Sequence, residues 1–539
     1  MLATEAQYRA LMNDMAISRV EKSRDAGMLD LDASVAFVHG DAVQGPQLDE
    51  RGDAAILGII DTGIDILHNA FRENAGTKTA LIGIWDQCDD EGPTPHDVDP
   101  VAFSQAYGTL YTAENLNAYI ATYLANPEAS TSTIPIRLRD PQRHGSHVAA
   151  IAAGRGSDKL SPGMAPEAPL LLVIPAMSQE AGAPKSVGYS NSHVDALAFL
   201  KRTAEGNNKL LAERMPIAIN VSLGMNAGAH DGSTLLEAAF DTATNLGRDG
   251  GVAIVKSAGN ERTHAGHARV QAFFGGLVDV AWESSNALRS EDYFEAWFHQ
   301  FDDLAFRVID PDGNRSQEVT FENGTVTSNL DGNICVLSLI QGYRDNGDNR
   351  FTLRILHQAN PIKKGIWKLE IHGRTIASPN GYLDIWVERA GTRCVRFTAY
   401  EPNITLSIPG AAQTVITVGA TNTQRPWKLN DASSYGPTRN GGAKPDLCAP
   451  GYQIRSAFAG QSDHDATFAM SGTSMAAPHV AGAIALVLSK LAKKPGAQWP
   501  NANQLGAALR RTVEGGPRAH NPGAGFGLLD AESFFEALN

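Results

Sequence analysis

Ala55-Ile56-Leu57-Gly58-Ile59-Ile60-Asp61-Thr62-Gly63-Ile64-Asp65 is an apolar run that ends in a carboxylate and a turn. A short, continuous apolar run with Gly behind it suits a strand of a parallel sheet covered on both faces. Thr62-Gly63 turns the chain at once, so Asp61 falls in the crevice beyond the strand's carboxyl end, where open α/β sheets hold their chemistry. A carboxylate there can accept the Nδ1–H of a histidine, fix its tautomer and stabilise its cationic form. Alone, the string reads first as an Asp capping the next turn. Asp65 is its nearest competitor and suits local backbone bonding.

Similar runs recur at Leu81–Trp85, Leu170–Ile174, Ile217–Val221 and Val252–Val255. Helical patterns separate them, such as Ser192–Thr203 and Thr234–Leu246. Residues 51–265 therefore read as an α/β domain with a mostly parallel sheet. From 266 to 400 the texture changes to short β-rich runs: Leu277–Trp282, Ala305–Ile309, Cys335–Ile340, Phe351–Leu356, Ile366–Ile371 and Tyr382–Val387. Turn signals such as Asp310-Pro311-Asp312-Gly313-Asn314 separate them, which predicts an inserted all-β sandwich or jelly roll. Trp282, Trp297, Trp367 and Trp386 lie here and read as its core. The α/β texture resumes over 401–539, with Val415–Ala420 and a helix after Ser474. Residues 1–50 form an N-terminal segment, a candidate short propeptide. Tyr8, Leu11, Met15 and Val20 suit an amphipathic helix, followed by Ala33–Val38 and the loop-like Gly40–Asp53. The segment is short for an independent folding unit. Residues 1 to about 45 are expected to pack on the α/β domain or to form a short inhibitory tail.

Three further strings carry chemistry. In Arg143-His144-Gly145-Ser146-His147-Val148-Ala149-Ala150, two histidines open a helix of small residues. A zinc pair is the rival reading, but the string lacks the glutamate of H-E-x-x-H and offers no further ligand. His147 reads as a packed support. In Ser471-Gly472-Thr473-Ser474-Met475-Ala476-Ala477-Pro478-His479, Ser474 stands at a helix N-terminus, whose unpaired N–H groups and dipole favour a developing oxyanion. A plain serine cap is the bland alternative. In Ser257-Ala258-Gly259-Asn260-Glu261, the Asn260 amide could donate to a tetrahedral intermediate.

Together these strings resemble the subtilisin-like serine peptidases. The matching motifs are Asp61-Thr62-Gly63, His144-Gly145-Ser146-His147-Val148-Ala149 and Gly472-Thr473-Ser474-Met475-Ala476-Ala477-Pro478-His479, in the order Asp, His, Ser. Ser146 stands where the family usually has threonine. The resemblance spans residues 51–265 and 401–539 and implies a subtilisin-like three-layer α/β fold. It implies a serine endopeptidase with Asp61, His144 and Ser474 as catalytic triad and Asn260 as oxyanion donor, with processing of a protein substrate as one role. It also implies that Ser222, Leu223 and Gly224 pair with an extended peptide backbone, while Ala258 and Gly259 form a facing wall. The insert, through Gly365-Ile366-Trp367-Lys368-Leu369-Glu370-Ile371-His372-Gly373, resembles the jelly-roll module of the Csp-type subtilases of clostridial spore germination. No cofactor is required for such chemistry. Structural calcium is common in the family, and no D-x-D-x-D-G loop locates it here.

Bulk properties narrow the partners. The 539 residues are 43% hydrophobic and 19% charged, an ordinary globular composition. The formal net charge of -14 argues against nucleic acid and anionic membranes. No run of roughly 18 apolar residues stands out as a membrane span. Glu5, Arg9, Asn13, Asp14, Arg19 and Glu21 interrupt any secretory signal. Cytoplasmic residence is expected, with leaderless export as the alternative. Cys88, Cys335, Cys394 and Cys448 form no C-x-x-C and suit a reducing compartment. A protein or peptide, bound as an extended strand, is the expected partner.

Overall fold

A computed structural model describes residues 31–127, 133–177, 189–285, 288–357, 361–388, 394–516 and 519–538. The pattern of Tyr8, Leu11, Met15 and Val20 lies outside them. Six strands come first: β1 (Ile56–Ile60), β2 (Leu81–Asp86), β3 (Thr109–Thr112), β4 (Leu170–Ile174), β5 (Ile217–Val221) and β6 (Val252–Ser257). Ten follow from the β-rich region: β7 (His267–Gln271), β8 (Leu277–Ser284), β9 (Glu291–Phe298), β10 (Asp303–Ile309), β11 (Thr325–Leu330), β12 (Asn333–Ile340), β13 (Asn349–His357), β14 (Gly365–Thr375), β15 (Tyr382–Val387) and β16 (Val395–Phe397). β17 (Ile416–Thr421), β18 (Leu447–Pro450), β19 (Ile454–Ala457) and β20 (Thr467–Met470) complete the set.

One eight-stranded sheet runs β18-β17-β6-β5-β1-β4-β2-β3. Its neighbours are parallel except the antiparallel β2–β3 pair. β1 is central and wholly buried. Alternation divides its side chains between two cores. Leu57 and Ile59 join the core that holds Val148, Ala152, Val480 and Ile484, from the helices His144–Ala153 and Thr473–Ala492. Ile56 and Ile60 join Leu197, Leu200, Leu236 and Phe240, from the helices Tyr189–Ala204 and Leu235–Ala243. Helices therefore cover both faces, and the domain has three layers.

β7–β16 form antiparallel sheets of four strands (β10-β14-β8-β16) and six (β11-β12-β13-β9-β15-β7). Strict alternation of burial in β12 and β13 turns one face of the larger sheet inward. Trp282, Trp367, Phe294, Phe306 and Phe351 fill the shared core, whereas Trp297 and Trp386, expected in it, form a separate buried cluster with Ala229 and Ile404. The insert is thus all-β, as its turn-punctuated pattern predicts. None of the four cysteines is in a disulfide.

The stretch Gly40–Asp53, expected as loop, begins with a short helix over Gly40–Gln44, and two further expectations are corrected. The Thr234–Leu246 pattern is a helix only over Leu235–Ala243. Thr234 Oγ accepts the Glu237 N–H at 3.2 Å as an N-cap, and positive φ at Asn245 and Leu246 ends the helix. The reading that no segment approaches a membrane-spanning run also fails. Thr473–Ala492 has the length and a mean hydropathy of 1.5, with 89% of that window buried inside the protein. It is apolar all round because it is a core helix.

Residues 33–50 are built into the α/β core. Val35, Val38 and Val43 belong to the core that holds the helix Thr473–Ala492. Ser34 Oγ meets His479 Nε2 at 3.0 Å, the Ala531 N–H donates to Val38 O at 2.8 Å, and Gln44 Nε2 donates to Gly163 O at 2.8 Å. Each buried valine contributes about 1.5–3 kcal/mol. A chain starting at Gln47 is therefore expected to melt well below the full chain or to be lost from the soluble fraction. An unchanged melting temperature would show that these contacts contribute little.

Candidate active site

Asp61 directly follows β1 and is fully buried. Its Oδ1 accepts the Thr62 N–H at 2.7 Å and lies 2.7 Å from His144 Nδ1. His144 is the first residue of its helix and stays one-fifth exposed. That approach depends on Gly145, since a Cβ there would fall 2.0 Å from Gly63 O. Asp140 holds the helix start: its Oδ2 accepts the Ser146 N–H at 2.8 Å. Thr62 Oγ bridges Asp61 Oδ1 and Asp140 Oδ1 at 3.3 and 3.5 Å. Burial opposes protonation of His144, but the Asp61 charge and hydrogen bond, helped by Asp140, outweigh it and raise its pKa above the ordinary histidine value.

The other titratable groups of these strings have different work. His147 Nε2 lies 3.0 Å from Ile454 O and 3.2 Å from Phe468 O. Burial pushes its pKa down to about 3, so it stays neutral. The two histidines therefore address separate partners. Among the described residues no group of three or more His, Cys, Asp or Glu side chains is arranged to hold a metal ion. Asp65 takes more than local backbone: it accepts Arg139 Nε at 2.8 Å and the Gly460 N–H at 2.7 Å.

Ser474 is the second residue of the helix Thr473–Ala492 and is 8% exposed. Its Oγ donates to Ser222 O at 3.2 Å, and among the described residues no hydrogen bond joins it to His144. Pro478 lacks the N–H that would bond the Ser474 carbonyl; Ser222 Oγ donates to that carbonyl at 3.2 Å instead. The serine is thereby stitched to the end of β5. Asn260 follows β6, and its Oδ1 accepts the Thr473 N–H at 3.0 Å. A backbone N–H can face only the oxygen, so the amide nitrogen turns to the other side as a donor. Gly259, at φ +101°, makes this turn possible.

Ser222, Leu223 and Gly224 continue from β5. Among the described residues, the backbone N–H and C=O groups of Leu223 and Gly224 have no hydrogen-bond partner, which leaves an edge open to an added strand. Ala258 and Gly259 differ. Ala258 N–H donates to Val418 O and its carbonyl accepts the Ser407 N–H; Gly259 carbonyl accepts the Ser434 N–H, and its own N–H donates to Thr473 Oγ at 3.0 Å. With all four backbone groups used, these residues offer surface and not pairing. The sequence strings missed Asp140 and Thr473. A carboxylate four residues before a helix-opening histidine was the available signal for the first. None marked the second.

A buried Asp–His pair at the carboxyl edge of a parallel sheet, with a serine at the start of a helix packed in the same core as the histidine's helix, is the layout of subtilisin-like proteins. The Subtilase family model matches residues 52–287 and 399–527, and the chain belongs to this family. It is 26% identical over 502 residues to the PII-type proteinase of Lacticaseibacillus paracasei, covering 86% of this chain and 24% of that protein. It is 30% identical over 207 residues to subtilisin BL of Lederbergia lenta, covering 38% of this chain and 63% of that one. The solved CspB protease of Clostridium perfringens superposes with a TM-score of 0.76 at 24% identity, over 94% of this chain and 98% of that chain. The chain spans about a quarter of the length of the PI-, PII- and PIII-type proteinases that it matches.

Proposed function

We propose that the chain is a serine endopeptidase that cleaves protein substrates through an acyl-enzyme intermediate. The observation that carries this reading is His144, held by buried Asp61 at 2.7 Å through Nδ1 with Nε2 left to act. Ser474 Oγ attacks the scissile carbonyl while His144 Nε2 takes its proton. Asp61 stabilises the imidazolium. His144 then protonates the leaving amine, and water, deprotonated in turn by His144, releases the acid. Asn260 Nδ2 and the Ser474 N–H hold the oxyanion. The substrate adds as an extended strand along Ser222–Gly224. The proton transfers run through His144, and the steps call on no metal. A fluorophosphonate probe tests the reading: labelling that maps to Ser474, together with cleavage of an unfolded protein, supports it. Absence of both overturns it.

Asn260→Ala is expected to lower kcat about a hundred- to a thousand-fold with little change in KM. Asn260→Asp separates the donor from the scaffold. It keeps the acceptor for the Thr473 N–H and removes the donor, so it should be at least as slow as the alanine variant. Recovery of activity in Asn260→Asp would make the residue structural.

A further inference from the structure

The two walls beside Ser474 share a floor. A Cβ on Gly224 would come 2.6 Å from Ser407 Oγ and 3.1 Å from Lys256 Nζ. A Cβ on Gly259, from the opposite wall, would come 2.8 Å from the same Ser407 Oγ. The space between Ser222–Gly224 and Ala258–Gly259 therefore ends on Ser407 and an ammonium group. In β6, Val252 and Ile254 pack in the core behind that space. Strand alternation puts Lys256 in step with them, where an apolar side chain would be ordinary. Lys256 is instead a fully buried cation. Its Nζ donates to Ser257 O at 2.5 Å, Ser407 Oγ at 3.0 Å and Ser257 Oγ at 3.1 Å. Having accepted from Lys256, Ser407 Oγ turns its own proton elsewhere; its acceptor, Ala258 O, is at a long 3.4 Å.

We propose that Lys256, with Ser407, makes this pocket select an acidic side chain on the acyl side of the scissile bond. The inference rests on the peptidase reading above and names its substrate class. Ser222 touches Ser474, so the residue whose carbonyl is attacked lies beside Ser222 and sends its side chain between the walls. A glutamate or aspartate there meets the opposite charge of the ammonium and accepts from the Ser407 hydroxyl. A lysine or arginine meets like charge. A large apolar side chain lays hydrocarbon against the cation and offers no acceptor.

The test uses the full chain and quenched peptides that differ only at that residue: Glu, Asp, Gln, Leu or Lys. The expected result is kcat/KM for Glu or Asp about ten- to a hundred-fold above Leu, with Lys poorest. Lys256→Met keeps the length and removes the charge, and is expected to reverse the order of Glu and Leu. If that variant does not fold, the ranking from the unmodified chain decides alone. Leu or Lys cleaved as well as Glu, or a Lys256→Met ranking equal to the unmodified one, overturns the proposal. A chain that is labelled at Ser474 and cleaves peptides without acidic preference fails this inference and keeps the peptidase reading. A chain neither labelled nor active fails both.

Discussion

Ser474→Ala is expected to lower kcat about 10^5- to 10^6-fold and to abolish fluorophosphonate labelling, while the fold and substrate affinity persist. The stability cost is small because the hydroxyl makes one hydrogen bond, to Ser222 O, with a net contribution of about 1 kcal/mol. The carbonyl of residue 474, which Ser222 Oγ engages, is untouched by the substitution. The nearest alternative nucleophiles are committed. Ser222 Oγ donates to Ser474 O and lies 3.0 Å from the Asn220 amide nitrogen. Ser471 Oγ accepts the Gln453 N–H at 2.8 Å and precedes the helix start. Neither stands where first-turn N–H groups can steady an oxyanion. A variant that retained more than about one part in a hundred of the activity would assign the chemistry to another residue, and labelling of the alanine protein would identify it.

The legible parts of this chain are those where one element boundary carries the meaning. Asp61 closes an apolar run, His144 opens a small-residue helix, and Ser474 stands two residues after Gly472 at the start of an apolar one. Each can be placed from its immediate neighbours. Thr473 escaped because its role is a bond to Asn260, 213 residues earlier in the chain. Lys256 escaped because it ends an apolar run and reads as the first exposed residue after a strand. β9 escaped for an electrostatic reason. Its Asp292 and Glu295 break the apolar pattern, yet both are buried, paired with Arg289 and Arg350. Residues 40–44 read as loop because the Gly40-Asp41 start hides a short helix whose Val43 is in the core. In each case a partner distant in sequence, or a buried ion pair, supplies what local pattern lacks.

Asp61→Asn is expected to lower kcat about 10^4-fold and to move the acid limb of the pH–rate profile. The limb follows from the sign of the His144 shift. The general base must be neutral, and Asp61 raises its pKa, so the parent enzyme loses activity as pH falls through a value above about 6.5. Without the carboxylate charge, burial dominates and the imidazole protonates at lower pH. The surviving activity should therefore persist further into acid. Local geometry sharpens the expectation. Asp61 Oδ1 accepts the Thr62 N–H and faces His144 Nδ1, whereas Oδ2 is buried with no hydrogen-bond partner among the described residues. The Thr62 N–H requires an acceptor, so an asparagine keeps its oxygen toward His144 and pushes its NH2 into the unpartnered Oδ2 position. The histidine then keeps its tautomer and loses its counter-charge, and the stranded NH2 costs about 1–3 kcal/mol of stability. The measurement is kcat against pH for both proteins, with thermal melts alongside. A loss below about tenfold, or an acid limb that stays in place, would show that Asp61 is a structural cap on the Thr62 turn and that the charge acting on His144 comes from elsewhere.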